Sequence, residues 1–302
     1  MSRPNPPFNE GFVELSDGRR LAFSEFGDPD GEVTFWLHGT PGGRRQVPPG
    51  AVRTAERKGM RIIGVGRPGV NGSDVHHYDS VADFALDLMQ VANSLGIESF
   101  NVIGLSGGGP YALAAASRLP ERVKAVAVLG GLGPTKGPDR AGGYTDLLGH
   151  FSPIMPLVRP VLGCALAHGI RPLIPVASEV FDIYTRLGSE ADRDTFQDPD
   201  IKAMLIDDLV RALRSGLRAP ALDLTLFSRD WGFRLGDINV PVRFWHGDAD
   251  SIVPHGHGIS QASLVPNADL ITVPGGGHMV GYLVADDVLD FVNHAGVRAT
   301  QR

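Results

Sequence analysis

The stretch Phe100-Asn101-Val102-Ile103-Gly104-Leu105-Ser106-Gly107-Gly108-Gly109-Pro110 is an apolar strand that runs straight into a turn of small residues. Behind the turn, Tyr111-Ala112-Leu113-Ala114-Ala115-Ala116-Ser117-Arg118 is rich in good helix formers. Gly104-Leu105-Ser106-Gly107-Gly108 therefore meets the G-x-S-x-G pattern in the strand–turn–helix context that gives it meaning. Such a turn holds the serine in a strained backbone conformation and lifts its hydroxyl above the carboxyl edge of a sheet. The amino end of the following helix favours negative charge developing there. In a chain with 39 glycines the bare pattern also arises as a plain packing turn, and the flanking strand and helix are what set this one apart.

Outward from this turn the chain alternates strands with helices. Phe12–Leu15 and Arg20–Phe26 flank Ser16-Asp17-Gly18-Arg19 and read as a hairpin. Val33–Leu37 is a short buried strand ending at His38-Gly39, followed by a helix over 48–58 and a strand over 61–65. Apolar residues at 81, 84, 85, 88, 91, 92 and 95 predict a helix with one apolar face. After the strand at 100–105 and its helix comes a strand over 123–129. Strand–helix alternation requires crossover connections, hence a mostly parallel sheet covered on both faces. From 133 to 226 the rhythm breaks into proline-separated helical patterns without a clear strand, which predicts a helical cap (lid) over the sheet's carboxyl edge. The rhythm resumes with strands at 242–245 and 270–273 and helices near 257–264 and 280–294. The expected organisation is a core domain of 1–132 and 227–302 and a cap of 133–226.

The 302 residues, 42% hydrophobic and 21% charged, suffice for a full core plus a sizeable insertion. The formal net charge of −6, spread without blocks, gives no reason to expect nucleic acid or an anionic membrane as a partner. The lone Cys164 forms no internal disulfide, which fits a cytoplasmic location. The first eight residues lack the apolar run of a signal peptide, and Pro156, Arg159, Pro160 and His168 interrupt the most apolar stretch, so no membrane span is expected.

A serine hydroxyl is a poor nucleophile near neutral pH. It needs a general base, and the base needs a partner that fixes its tautomer. Two loops after late strands supply candidates. Phe244-Trp245-His246-Gly247-Asp248-Ala249-Asp250 offers Asp250, with Asp248 as a turn residue or helix cap. Val273-Pro274-Gly275-Gly276-Gly277-His278 offers His278 in a glycine-rich loop. The order Ser106, Asp250, His278 is the one a nucleophile elbow requires. The other histidines read as bystanders: His255 and His257 as surface residues near a helix start, His76 and His77 as solvated loop residues. A tetrahedral intermediate also needs donors for its oxyanion. The N–H of Gly107 is one candidate. In His38-Gly39-Thr40-Pro41-Gly42-Gly43, Pro41 has no N–H, which leaves Thr40 as the second.

These motifs resemble the α/β-hydrolase superfamily along nearly the whole chain: His38-Gly39, Arg67-Pro68-Gly69-Val70-Asn71-Gly72-Ser73, the Ser106 turn, His246-Gly247-Asp248-Ala249-Asp250, and Gly277-His278. The resemblance implies an eight-stranded, mostly parallel sheet with a helical cap inserted after strand six. It also implies Ser106 as nucleophile, His278 as base, Asp250 as its orienter, and no metal or organic cofactor. Members often carry an aspartate before the Arg-Pro-Gly run. Gly66 stands there in this chain, a change expected to loosen that loop's anchoring. The monomer or homodimer is the expectation at family level.

A serine at the elbow, where dehalogenases and epoxide-opening members use aspartate, points to acyl transfer. The leading expectation is hydrolysis of a small-to-medium, largely apolar carboxylic ester, lactone or thioester, the apolar residues between Phe151 and Leu166 facing the substrate. Carbon–carbon bond hydrolysis, perhydrolase (haloperoxidase-like) chemistry, aminopeptidase action and lyase action use the same triad. An aminopeptidase would need a carboxylate for the substrate ammonium, with Glu179, Asp182 and Glu190 as candidates. A ligand-binding or receptor protein on this fold is the reading from another class.

Overall fold

A computed structural model describes residues 6–141, 190–214, 216 and 218–299. Eight strands form one sheet: β1 (Asn9–Glu14), β2 (Arg20–Gly27), β3 (Glu32–Leu37), β4 (Met60–Val65), β5 (Phe100–Leu105), β6 (Val123–Leu129), β7 (Val242–Gly247) and β8 (Ala268–Val273). Their order across the sheet is β1-β2-β4-β3-β5-β6-β7-β8. The first two strands form the expected hairpin, with Val13 opposite Leu21, and β2 lies antiparallel to β4. All pairings from β4 through β3, β5, β6 and β7 to β8 are parallel.

Side-chain alternation along each strand builds two cores. On β3, Phe35 and Leu37 point to one face and Trp36 to the other. The first face meets helices α2 (Phe84–Ser94) and α3 (Gly109–Arg118), whose Phe84, Leu88, Tyr111 and Leu113 pack on Val102 and Val126. The second meets α1 (Pro49–Lys58) and α8 (Ala285–Ala299), whose Val52, Val288, Leu289 and Val292 pack on Ile103, Leu129 and Trp245. β5 is buried at every position because helices cover both its faces. Two expected helices begin as single tight turns, over Val81–Asp83 and Ser106–Gly108, before the regular helix takes over.

Between β6 and β7 the described residues hold α4 (Glu190–Thr195), α5 (Pro199–Leu213) and α6 (Arg218–Phe227), and no strand. Asp198 caps α5 by accepting the N–H groups of Asp200 and Ile201. Ile201, Met204 and Leu205 of α5 join the second core, while Leu226 and Phe227 of α6 join the first. The stretch from Phe151 to Leu166, with Glu179 and Asp182, lies outside the described residues. After β7, α7 (Gly256–Leu264) leads to the edge strand β8. No helix among the described residues is long and apolar enough to cross a membrane.

Candidate active site

Ser106 sits at φ 50°, a left-handed conformation uncommon for a residue with a side chain. Close packing enforces it, since the tight turn that follows lies against the carboxyl end of β3. A methyl group placed on Gly108 would stand 2.1 Å from the Leu37 carbonyl oxygen. The turn therefore cannot relax toward β3, and the serine is held at the sheet edge as the sequence predicts.

His278 begins a short helical turn after β8 and is buried. Its Nε2 lies 2.8 Å from Ser106 Oγ and its Nδ1 lies 2.8 Å from Asp250 Oδ2. A carboxylate only accepts, so Nδ1 carries the hydrogen and Nε2 is left to accept the serine proton. Asp250 is fully enclosed yet satisfied: its Oδ1 accepts the N–H groups of Ile252 and Val253, both at 2.9 Å. Burial alone would raise its pKa. Hydrogen bonds from His246, His278 and Val253, with the nearby imidazole charge, outweigh burial and hold the carboxyl far below the usual range. The three candidates thus meet in one chain of contacts.

Asp248 instead accepts the N–H of Gly275 at 2.7 Å and ties the acid's loop to the histidine's loop. His246, quoted in the sequence only as part of a motif, points its Nε2 at the Val253 carbonyl (2.8 Å) with Asp250 Oδ2 at 3.3 Å. His257 corrects the surface assignment: it is buried, and its Nδ1 accepts the Gly133 N–H at 2.9 Å. Burial, and secondarily His246, press its pKa down to about 4, so it is neutral near pH 7. His255 is half-buried, with Nε2 3.0 Å from Thr272 Oγ1. His77 is exposed beside Arg218, and His76 stacks edge-on against Tyr78 at 4.9 Å. Glu190 is exposed at the start of α4. Among the described residues no group of three or more His, Cys, Asp or Glu is placed to hold a metal ion.

The loop after β3 lies against Ser106. A methyl on Gly39 would lie 3.5 Å from Ser106 Cβ, and one on Gly107 would lie 2.5 Å from Thr40 Oγ1. The Gly39 N–H is taken by Gln46 Oε1 at 2.6 Å. With Pro41 lacking a donor and the Gly39 N–H taken, Thr40 and Gly107 remain the candidate amides of this loop and turn.

Three carboxylates from the segment between β6 and β7 grip the loops around Ser106 and His278, and sequence reading did not single them out for this. Asp192 of α4 accepts the Met279 N–H at 2.7 Å, one residue past His278. Asp208 of α5 accepts the N–H groups of Gly43 (2.7 Å) and Arg45 (3.1 Å). Asp223 of α6 pairs with the buried Arg67 at 2.7 Å. This last pair corrects the expectation for Gly66: the loop is anchored through Arg67 itself, and Ser73 Oγ also donates to the Gly66 carbonyl at 2.7 Å. The sequence signal was an acid within an apolar stripe at helical spacing: Asp208 with 201, 204, 205 and 212, and Asp223 with 219, 222 and 226. An acid in that position is buried and must find donors.

Burial raises the Asp208 pKa from 3.8 to about 7 against the pull of the Gly43 and Arg45 N–H groups. A carboxyl whose folded pKa exceeds its unfolded value costs stability as pH rises from the unfolded value to the folded one, because the unfolded chain then binds fewer protons. Asp208→Asn cannot ionise, although its amide NH2 leaves one of the two N–H groups without an acceptor. Its melting temperature relative to the parent is therefore expected to rise by several degrees between pH 4 and pH 8 in paired thermal scans. A difference that does not change with pH would remove Asp208 as the titrating group.

Residues 35–159 match the family model of the alpha/beta hydrolase fold. A proline iminopeptidase from Neisseria gonorrhoeae is 31% identical over 135 residues, covering 41% of this chain and 40% of that protein. The chain thus matches only about two-fifths of that relative's length. A 2-hydroxy-6-oxononadienedioate/2-hydroxy-6-oxononatrienedioate hydrolase from Pseudomonas putida is 27% identical over 301 residues, 94% of this chain and 96% of that protein. Among solved structures, a thermophilic esterase from Thermogutta terrifontis superposes with a TM-score of 0.66 at 21% identity, covering 95% of this chain and 99% of that one. Sheet order, the strained serine turn and these matches lead to one assignment: the chain has the α/β-hydrolase fold.

Proposed function

We propose that the protein is a serine hydrolase that cleaves small-to-medium, largely apolar carboxylic esters, lactones or thioesters through an acyl-enzyme on Ser106. The observation that carries this reading is the unbroken contact chain Ser106 Oγ–His278 Nε2–Asp250 Oδ2, with 2.8 Å at each link.

In the first half-reaction Ser106 Oγ attacks the substrate carbonyl carbon while its proton passes to His278 Nε2. Asp250 holds the imidazole by Nδ1–H and stabilises its cationic form. The carbonyl oxygen becomes an oxyanion, received by the N–H groups of Thr40 and Gly107. Collapse expels the alcohol, which leaves with the proton held on Nε2. Water then repeats the sequence on the acyl-enzyme: its proton goes to Nε2, its oxygen bonds to the acyl carbon, and Ser106 recovers its proton as the acid departs.

A second reading is hydrolysis of a carbon–carbon bond beside a ketone on the same residues. It is favoured by the relative from Pseudomonas putida that matches 94% of the chain and is named a 2-hydroxy-6-oxononadienedioate/2-hydroxy-6-oxononatrienedioate hydrolase. Rapid mixing with p-nitrophenyl acetate and butyrate, beside a diketone panel, separates the two. The ester reading expects a nitrophenolate burst approaching one per chain. Turnover of diketones with no ester burst favours the second, and turnover of neither contradicts both.

A further inference from the structure

Arg67 is a buried cation whose hydrogen bonds all go to one place. Its Nη1 donates to the His38 carbonyl at 2.5 Å and its Nη2 to the Gly39 carbonyl at 3.0 Å, so it holds the main chain just before Thr40. Nη2 also reaches Thr40 Oγ1 at 2.8 Å and Asp223 Oδ2 at 2.7 Å, and Nε lies 3.1 Å from the same Oδ2. The guanidinium rests over the Tyr111 ring at 4.9 Å.

Asp223 closes the network. Its Oδ2 accepts the Thr40 hydroxyl at 2.7 Å and its Oδ1 accepts the Tyr111 hydroxyl at 2.7 Å. A guanidinium cannot accept, so the single Thr40 hydroxyl proton goes to Asp223 while Arg67 fills an oxygen lone pair. The Thr40 side chain is therefore fixed from two sides, and its preceding peptide from a third. Asp223 belongs to α6, the last α-helix before β7, whereas Tyr111 belongs to α3, directly behind Ser106.

We propose that Asp223 is a positioning residue for the oxyanion site. Through the Thr40 hydroxyl and Arg67 it sets where the Thr40 amide stands, so that site is complete only when α6 is seated. The proposal rests on the reading of Thr40 as an oxyanion donor. A donor displaced by a fraction of an ångström loses much of its advantage in the transition state while leaving ground-state binding nearly intact.

A plain stabilising ion pair would instead lower the melting temperature and leave each folded site fully active. The two roles separate in steady-state ester kinetics, with sites counted by fluorophosphonate titration and folding followed by thermal melts. Thr40→Val removes only the hydroxyl and leaves the Arg67–Asp223 pair closed. It is expected to lower kcat per titrated site about 10- to 100-fold, with KM within about threefold of the parent. Thr40→Ser, which keeps the hydroxyl, recovers most of that loss. Asp223→Asn should reduce kcat comparably, and the double variant with Thr40→Val should be no worse than the poorer single one.

Unchanged kcat per site in Thr40→Val, or losses in the double variant that multiply, would overturn the proposal. If Asp223→Asn does not fold, the Val–Ser contrast at Thr40 decides, because neither variant exposes a buried charge. Ser106→Ala in the same assay keeps the outcomes distinct. Loss of activity there with a normal Thr40→Val leaves the serine reading standing and the positioning role rejected, while retained activity rejects the serine reading itself.

Discussion

Ser106→Ala and His278→Ala are each expected to lose about 10⁵- to 10⁶-fold in kcat toward a p-nitrophenyl ester, and the double variant no more than either. In the proposed mechanism the bond-forming atom and its base act as one unit, so removing one makes the other useless, and the residual rate comes from the oxyanion donors and substrate binding. Asp250→Asn should cost about 10⁴-fold, because an amide at that place lets the imidazole take the wrong tautomer. The hydrogen bonds that hold the Asp250 carboxyl far below the usual range also fix the pH behaviour. Asp250 is therefore expected to add no ionisation near pH 4 to the kcat profile. KM should move little in all three variants. Turnover by Ser106→Ala within tenfold of the parent would contradict the mechanism.

The second large effect concerns the turn that carries the serine. Gly108→Ala would place a methyl 2.1 Å from the Leu37 carbonyl oxygen and 2.8 Å from that of His38. Both are backbone atoms at the end of β3, so no side chain can swing aside. Either the turn or the strand end must shift, and the strand end runs directly into the loop with Thr40. The expected cost is about 3 kcal/mol or more, a fall in melting temperature on the order of 6–12 °C, with activity lost even in the folded fraction. Gly256→Ala serves as the comparison: nothing lies within 4 Å of the added methyl. Its melting temperature should stay within about 2 °C of the parent. Equal melting of the two variants would show that the turn is not close-packed against β3.

What could be read from the chain before its structure follows the physics of each signal. The strand at 100–105, the serine turn and the late loops carrying Asp250 and His278 announced themselves through local apolar runs and glycines. A turn chemistry fixed by neighbours a few residues away is visible in a linear text. The alternation of strands and helices likewise implied the parallel sheet, because parallel neighbours need crossovers. The Arg67–Asp223 pair spans 156 positions and has no local mark beyond a carboxylate in an apolar stripe. The same holds for Asp208 on the Gly43 and Arg45 amides and Asp192 on the Met279 amide. His257 looked like a surface residue because it opens a helix after a polar loop. It is buried in the fold, where its Nδ1 accepts the N–H of Gly133, brought there by the chain after β6. Long-range polar partners are chosen by the fold, and periodicity registers only that a face is covered.

Incubation with a fluorophosphonate probe followed by peptide mass spectrometry addresses the central claim most directly. A single phosphonyl adduct is predicted on Ser106 of the folded chain, formed in step with loss of esterase activity and slowed by orders of magnitude in His278→Ala. An unlabelled Ser106 in protein that still hydrolyses esters, or equal labelling without His278, would contradict it.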